Sequence, residues 1–288
     1  MSKVSFNTTV SNTSDAGFQA WSTELYNAIV ACGLTQTADT GQLAAPVVAA
    51  RPANNTFAGY WIFELADTLQ ATAPVFLKVR PGRGSSGNSF RLNIEVGTGS
   101  NGTGTITGSL GDVDAFTTTT SSVTASPVPS YFNHDEGFFG FIFKSGANTN
   151  GLGFFALCRT TDTSAVPTGD GVFFIGKYDT MAGEAWSCTF GGSALYANDR
   201  SWCCPAFPQS SSAIGSDFQA YKVYGAFPET KVIPQLVAVL VAELPVGNTT
   251  GAVEIFTGVN RDYLGSGTAG NGLTISGSST YQLCLKWD

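Results

Sequence analysis

The sequence predicts a mainly β protein: an antiparallel β-sandwich or jelly-roll-like core of about eleven strands with one N-terminal α-helix packed on it. Three observations predict this. Apolar runs of strand length recur along the chain, separated by Gly, Ser, Thr, Asn and Pro. Phe90, Leu92, Ile94 and Val96 alternate with Arg91, Asn93 and Glu95, the period of a half-buried strand. Charged residues are only 12% of the chain while Gly numbers 34 and Phe 21, a composition that suits short strands with tight turns.

Taken in order, residues 1–13 are polar with weak alternation (Val4, Phe6) and read as an N-terminal arm, either a first strand or a segment lying on a neighbour. Residues 14–33 read as a helix packed on the sheet. Ser14 or Asp15 is the N-cap, Gly33 follows the last turn, and Phe18, Trp21, Leu25, Ile29 and Cys32 make one apolar stripe. Residues 34–58 read as a connector, since Pro46, Pro52 and Asn54-Asn55 oppose regular structure.

Residues 59–99 hold three strand-length runs, an antiparallel meander. Residues 97–108 read as a Gly/Thr loop and 110–130 as an edge strand or long surface loop. The Phe-dense runs 138–143, 152–158 and 172–178 lack clean alternation, which predicts burial on both faces. Residues 185–190 read as a short strand and 191–217 as a long irregular excursion. Runs 220–227, 232–243, 252–256 and 281–287 complete the set, the last with Tyr281, Leu283, Leu285 and Trp287 on one face. No composition break divides the chain, so we expect one β-rich domain over 1–288.

Composition narrows the function. The formal net charge of −7 argues against a nucleic-acid partner. The longest apolar run, Leu236 to Leu244, contains Glu243 and is far shorter than a membrane span. No apolar segment follows Met1-Ser2-Lys3, so we expect no signal peptide and synthesis in a cytoplasm. Asn7, Asn12, Asn101 and Asn248 then read as polar loops rather than glycosylation sites. The six cysteines form no C-x-x-C pair and read mainly as buried thiols, with Cys203-Cys204 the odd feature.

No catalytic, cofactor or metal motif stands out. His134, the one histidine, reads as a loop residue before a strand. Asp135-Glu136 could pair with Glu64, Asp67, Glu95 or Glu184 as in a glycosidase, and Asp112-Val113-Asp114 could touch Ca²⁺. Exposed aromatics at Trp186, Tyr196, Trp202 and Tyr221 could stack on sugars, which would make a glycan-contact surface; core or interface packing is the plainer reading. Lys78, Arg80, Arg83 and Arg91 place four of the 14 basic residues within one short stretch. They either balance carboxylates on the same sheet or form a docking patch for an acidic partner subunit.

Several motifs carry a resemblance. Phe18-x-x-Trp21, Gly33-Leu34, Asp39-Thr-Gly41-Gln, Tyr60-Trp-Ile-Phe, the run Leu69 to Lys78, Val96-Gly-Thr-Gly and Gly258-Val-Asn-Arg-Asp-Tyr-Leu264 together resemble a group of tailed-bacteriophage virion structural proteins. The resemblance implies a β-rich, non-enzymatic subunit of the tail tip, baseplate or fibre apparatus, or else a capsid or head-decoration protein. It implies a homo-oligomer with other virion proteins as partners and no cofactor, assembled in the host cytoplasm and residing in the virion. A subunit largely covered by neighbours also tolerates low surface charge. A host-receptor module binding surface glycans and a hydrolase acting on them are the readings of another class.

Overall fold

In a computed structural model of the chain, the described residues are 2–9, 14–44, 50–84, 90–117, 127–143, 153–162, 166–178, 188–190, 193–195, 220–224, 235–242, 250–256, 259–265 and 282–287. They form one helix and two antiparallel sheets, of twelve and five strands.

The arm is a strand, β1 (Ser2–Thr9), antiparallel to the chain's own β7 (Pro127–Asp135). Helix α1 (Asp15–Ala31) begins where the sequence places it. The Ser14 hydroxyl oxygen accepts the backbone N–H of Gly17 at 3.0 Å, satisfying one of the helix's otherwise orphaned donors. It ends with Cys32 as C-cap and Gly33 at φ +98°, a left-handed conformation that glycine adopts without strain. The expected apolar stripe is buried: Phe18, Trp21, Leu25, Ile29 and Cys32 are all inaccessible to solvent.

After the helix the chain builds a meander of β2 (Thr35–Gln36), β3 (Trp61–Glu64), β4 (Phe76–Arg83), β5 (Phe90–Ser100) and β6 (Ile106–Thr117). The helix lies on one face of it. Phe18 meets the edge of Phe90 at 5.2 Å between centroids, and Trp21 stacks on Phe90 at 5.2 Å. Tyr26 packs on Trp61 and Phe63.

Two expectations are corrected here. The 97–108 loop is only a five-residue hairpin tip, because β5 runs to Ser100 and β6 starts at Ile106. The 110–130 segment supplies the long interior strand β6, flanked by β5 and β9 (Gly153–Thr161), and the start of β7. Gly, Thr and Ser weaken the local strand signal of β6, and pairing on both sides overrides it.

The Phe-dense strands β8 (Phe138–Phe143), β9 and β10 (Pro167–Tyr178) continue the large sheet. All six residues of β8 are buried, as non-alternating runs predict. Phe139, Phe141 and Phe143 join the core cluster beneath the helix, with Phe132 and Phe155 packed among them. On the other face, an added Cβ on Gly140 would meet Leu285 Cδ1 at 2.6 Å, so a strand of the second sheet rests directly on this one. Short β11 (Cys188–Phe190) and β12 (Ser193–Leu195) finish the large sheet.

The second sheet has the order β13-β14-β17-β16-β15, from Ala220–Tyr224, Gln235–Ala242, Gln282–Lys286, Val259–Gly265 and Thr250–Phe256. The described strands number seventeen against the roughly eleven expected from apolar runs. The difference comes from strands that apolarity does not flag, among them β1, β2, β12 and β16. No helix among the described residues is long and apolar enough to cross a membrane.

Candidate functional site

Three of the four clustered cations, Lys78, Arg80 and Arg91, gather on the meander face opposite the helix, while Arg83 lies opposite the core residue Phe90 and shares the helix-side face. Because successive side chains in a strand alternate faces, Leu77 and Val79 of β4 point into the core while Lys78 and Arg80 point away. Register then builds cross-strand rows. Lys78 lies opposite Glu95, which lies opposite Asp112. Arg80 lies opposite Asn93, which lies opposite Asp114.

The side chains around Asn93 are tightly bonded. Arg91 donates from Nε and a terminal nitrogen to the two carboxylate oxygens of Asp114, at 2.9 and 2.8 Å, the planar two-pronged match that favours arginine. Arg80 donates to Asn93 Oδ1, from Nε at 3.0 Å, and approaches Asp112 at 3.4 Å. Asn93 in turn donates from Nδ2 to Asp112 at 2.8 Å and to Asp114 at 3.1 Å. Asn93 is 3% exposed, so alternation in β5 does not leave it wet; its amide is the buried hub that joins Arg80 to Asp112 and to the Asp114 that Arg91 holds.

Aromatic rings cover the cations. The guanidinium groups of Arg80 and Arg91 both lie over the Phe57 ring, at 5.1 and 5.0 Å, and Tyr60 lies 4.6 Å from Lys78 Nζ. Arg83, at the end of β4, makes a long 3.5 Å contact to the Pro52 carbonyl. The Lys78 ammonium donates to the Gly104 carbonyl at 2.7 Å. Its pKa is lowered from the ordinary value, chiefly by burial, with Arg80 adding and Glu95 opposing.

Beside Lys78, a polar corner unites three of the resemblance motifs. Asp39 accepts from the Thr37 hydroxyl at 2.6 Å, the Gly104 N–H at 3.1 Å and the Ser100 hydroxyl. The Tyr60 hydroxyl donates to the Thr40 carbonyl at 2.9 Å. Burial pushes the Asp39 carboxyl up, but the bonds from Ser100, Thr37 and Gly104 outweigh it and hold the group below its usual range.

The face therefore carries both signs, with cations set against carboxylates of the next strand, rather than a block of positive charge. Sequence reasoning named the four cations but not Asn93, Asp112 and Asp114 as the partners of Arg80 and Arg91. The signal was present: Asp112 and Asp114 are two apart, like Lys78 and Arg80, and share a face once β6 is read as a strand. These aspartates are engaged by arginine and asparagine rather than grouped as ion ligands. Among the described residues, no group of three or more His, Cys, Asp and Glu could hold a metal ion.

The other candidates are dispersed. Asp135 pairs with Lys286 at 2.7 Å, Glu136 accepts from the Thr68 N–H at 2.9 Å, and Asp67 is locked to Arg159 with both side chains fully buried. Glu184, Trp186, Tyr196, Trp202 and Cys203-Cys204 lie outside the described residues. Tyr221 lies in β13, paired with Val241. Cys32 and Cys158 are free, buried thiols; burial pushes Cys32 up to about 12 and raises Cys158 as well. His134 is not a loop residue but the penultimate position of β7.

No family model matches the chain, and no curated protein or solved structure matches it.

Proposed function

We propose that this chain is a non-enzymatic structural subunit of a bacteriophage particle, in the tail tip, baseplate or fibre apparatus. It works there as a homo-oligomer, its two sheets stacked as a sandwich or jelly-roll-like core. The observation that carries the reading is the outer face of β4, β5 and β6. Its charged side chains are already held by one another and by Phe57 and Tyr60, so a docking partner loses little affinity to side-chain ordering.

The mixed signs suit a self-complementary contact. Across a two-fold axis, the ends of the Lys78–Glu95–Asp112 row set Lys78 of each copy against Asp112 of the other. Three of the motifs that resemble virion proteins meet at this same corner, and the low charged fraction fits a subunit flanked by neighbours. The contact of Leu285 on Gly140 supports the stacked core.

Location tests the proposal. A labelled antibody to this chain, viewed by electron microscopy on intact particles, decorates the tail end. Particles from producing cells that carry no label would remove the reading.

A further inference from the structure

Both nitrogens of the His134 ring face a carbonyl oxygen at 2.8 Å: Nδ1 that of Cys32, and Nε2 that of Leu65. A carbonyl oxygen only accepts. A neutral imidazole has one N–H, so it can satisfy one of these contacts and must turn a lone pair toward the other oxygen. Flipping the ring puts carbon where each nitrogen stands and satisfies neither. The imidazolium, with two N–H donors, satisfies both.

A second observation points the same way. Cys32 is the C-cap of α1, where the partial negative charge of the helix collects, and the last turn of α1 has no basic residue of its own. His134 reaches that end from β7 through Nδ1.

We propose that His134 is a protonation-dependent clasp, which in its imidazolium form ties the C-terminus of α1 to the Leu65 turn and in its neutral form releases one of the two. The turn it holds is poised. Ala66 has φ +59°, a conformation that costs a non-glycine residue energy and persists only when its surroundings impose it. The next residues are pinned independently, Asp67 by Arg159 and Thr68 by Glu136, so release is local to Leu65 and Ala66.

The charged and titratable groups on the surrounding elements have their own partners. On β7, Asp135 is held by Lys286 of β17. In the β7–β8 turn, Glu136 is held by Thr68. On β9, Arg159 is held by Asp67. Lys3 of β1 lies over the Trp287 ring, and the Cys32 thiol takes a hydrogen bond at Val4. The amino-terminal charge acts on Asp135 and titrates in a range that overlaps histidine's, so the test carries a variant that leaves it unchanged.

Histidine occurs once in the chain, so its ring resonances are unambiguous in ¹⁵N NMR. At about pH 5.5 both ring nitrogens carry protons bonded to carbonyls, and by about pH 8.5 one of these bonds is gone. Over the same range, amide-exchange protection at Leu65 falls about tenfold beyond the intrinsic change while that at Thr68 does not, as expected for losing one charge-assisted bond at the Leu65 turn. His134→Gln shows no such dependence. A singly protonated ring at about pH 5.5 would overturn the proposal. So would the same pH dependence of protection in wild type and variant, or none in the wild type. Should His134→Gln fail to fold, the wild-type spectra and exchange decide alone.

Discussion

At the scale of single residues, the polar groups that matter are those with several partners. Asp39 gathers two hydroxyls and a backbone N–H, and Asp135 is held by Lys286 and the backbone of Glu136. For both, burial raises the carboxyl, and the hydrogen bonds more than offset it, leaving the folded pKa below the unfolded one. These groups therefore add stability above the unfolded carboxylate range, and that share is lost as pH falls through their folded values. Urea midpoints should fall on acidification from about pH 4.5 to about pH 2.5, and the Asp39→Asn/Asp135→Asn variant should show a shallower fall. An equally steep fall in the variant would mean that other carboxylates govern acid sensitivity. Asn93 shows the limit of reading residues from a pattern. Alternation placed it on the outer face correctly, but its burial depends on Arg80, Asp112 and Asp114, which come from neighbouring strands.

At the scale of elements, legibility depends on how local each signal is. Helix α1 has a cap, a stripe and a stop within twenty residues, and all three are where the sequence puts them. The β4–β5 pair shows its alternation directly. Strand β6 does not, because its register shifts twice against β5, and each shift breaks the period of two. Gly140 is likewise silent in the sequence, a glycine inside a Phe-rich strand, until Leu285 is seen to rest on it. Gly140→Ala places a methyl group 2.6 Å from Leu285 Cδ1 and 2.9 Å from the Phe155 carbonyl, closer than real contacts allow. We expect a loss of roughly 1–3 kcal/mol in chemical denaturation, with faster amide exchange along β17. An unchanged midpoint would mean that the second sheet does not bear on β8 at this position.

At the scale of the whole molecule, long-range pairing organises what local signals leave open. The N-terminal strand pairs with a segment more than a hundred residues away, and the C-terminal strand is tied back to β7 by Asn133, which donates to the Lys286 carbonyl at 2.8 Å. Such contacts leave no periodic trace, so the division into sheets of twelve and five strands was not legible. The two ends of the chain thus meet near β7, while the meander presents its bonded outer face on the other side of α1's packing surface. That face is the centre of the functional account. It predicts an assembly in which Lys78 of one copy faces Asp112 of another. The variant Lys78→Glu tests this directly, since across the two-fold it sets a carboxylate against Asp112 of the other copy. Light scattering of the purified chain should find an oligomer for the wild type and a smaller species, still unfolding cooperatively, for the variant. A wild-type monomer, or a variant that assembles as the wild type does, would contradict the account.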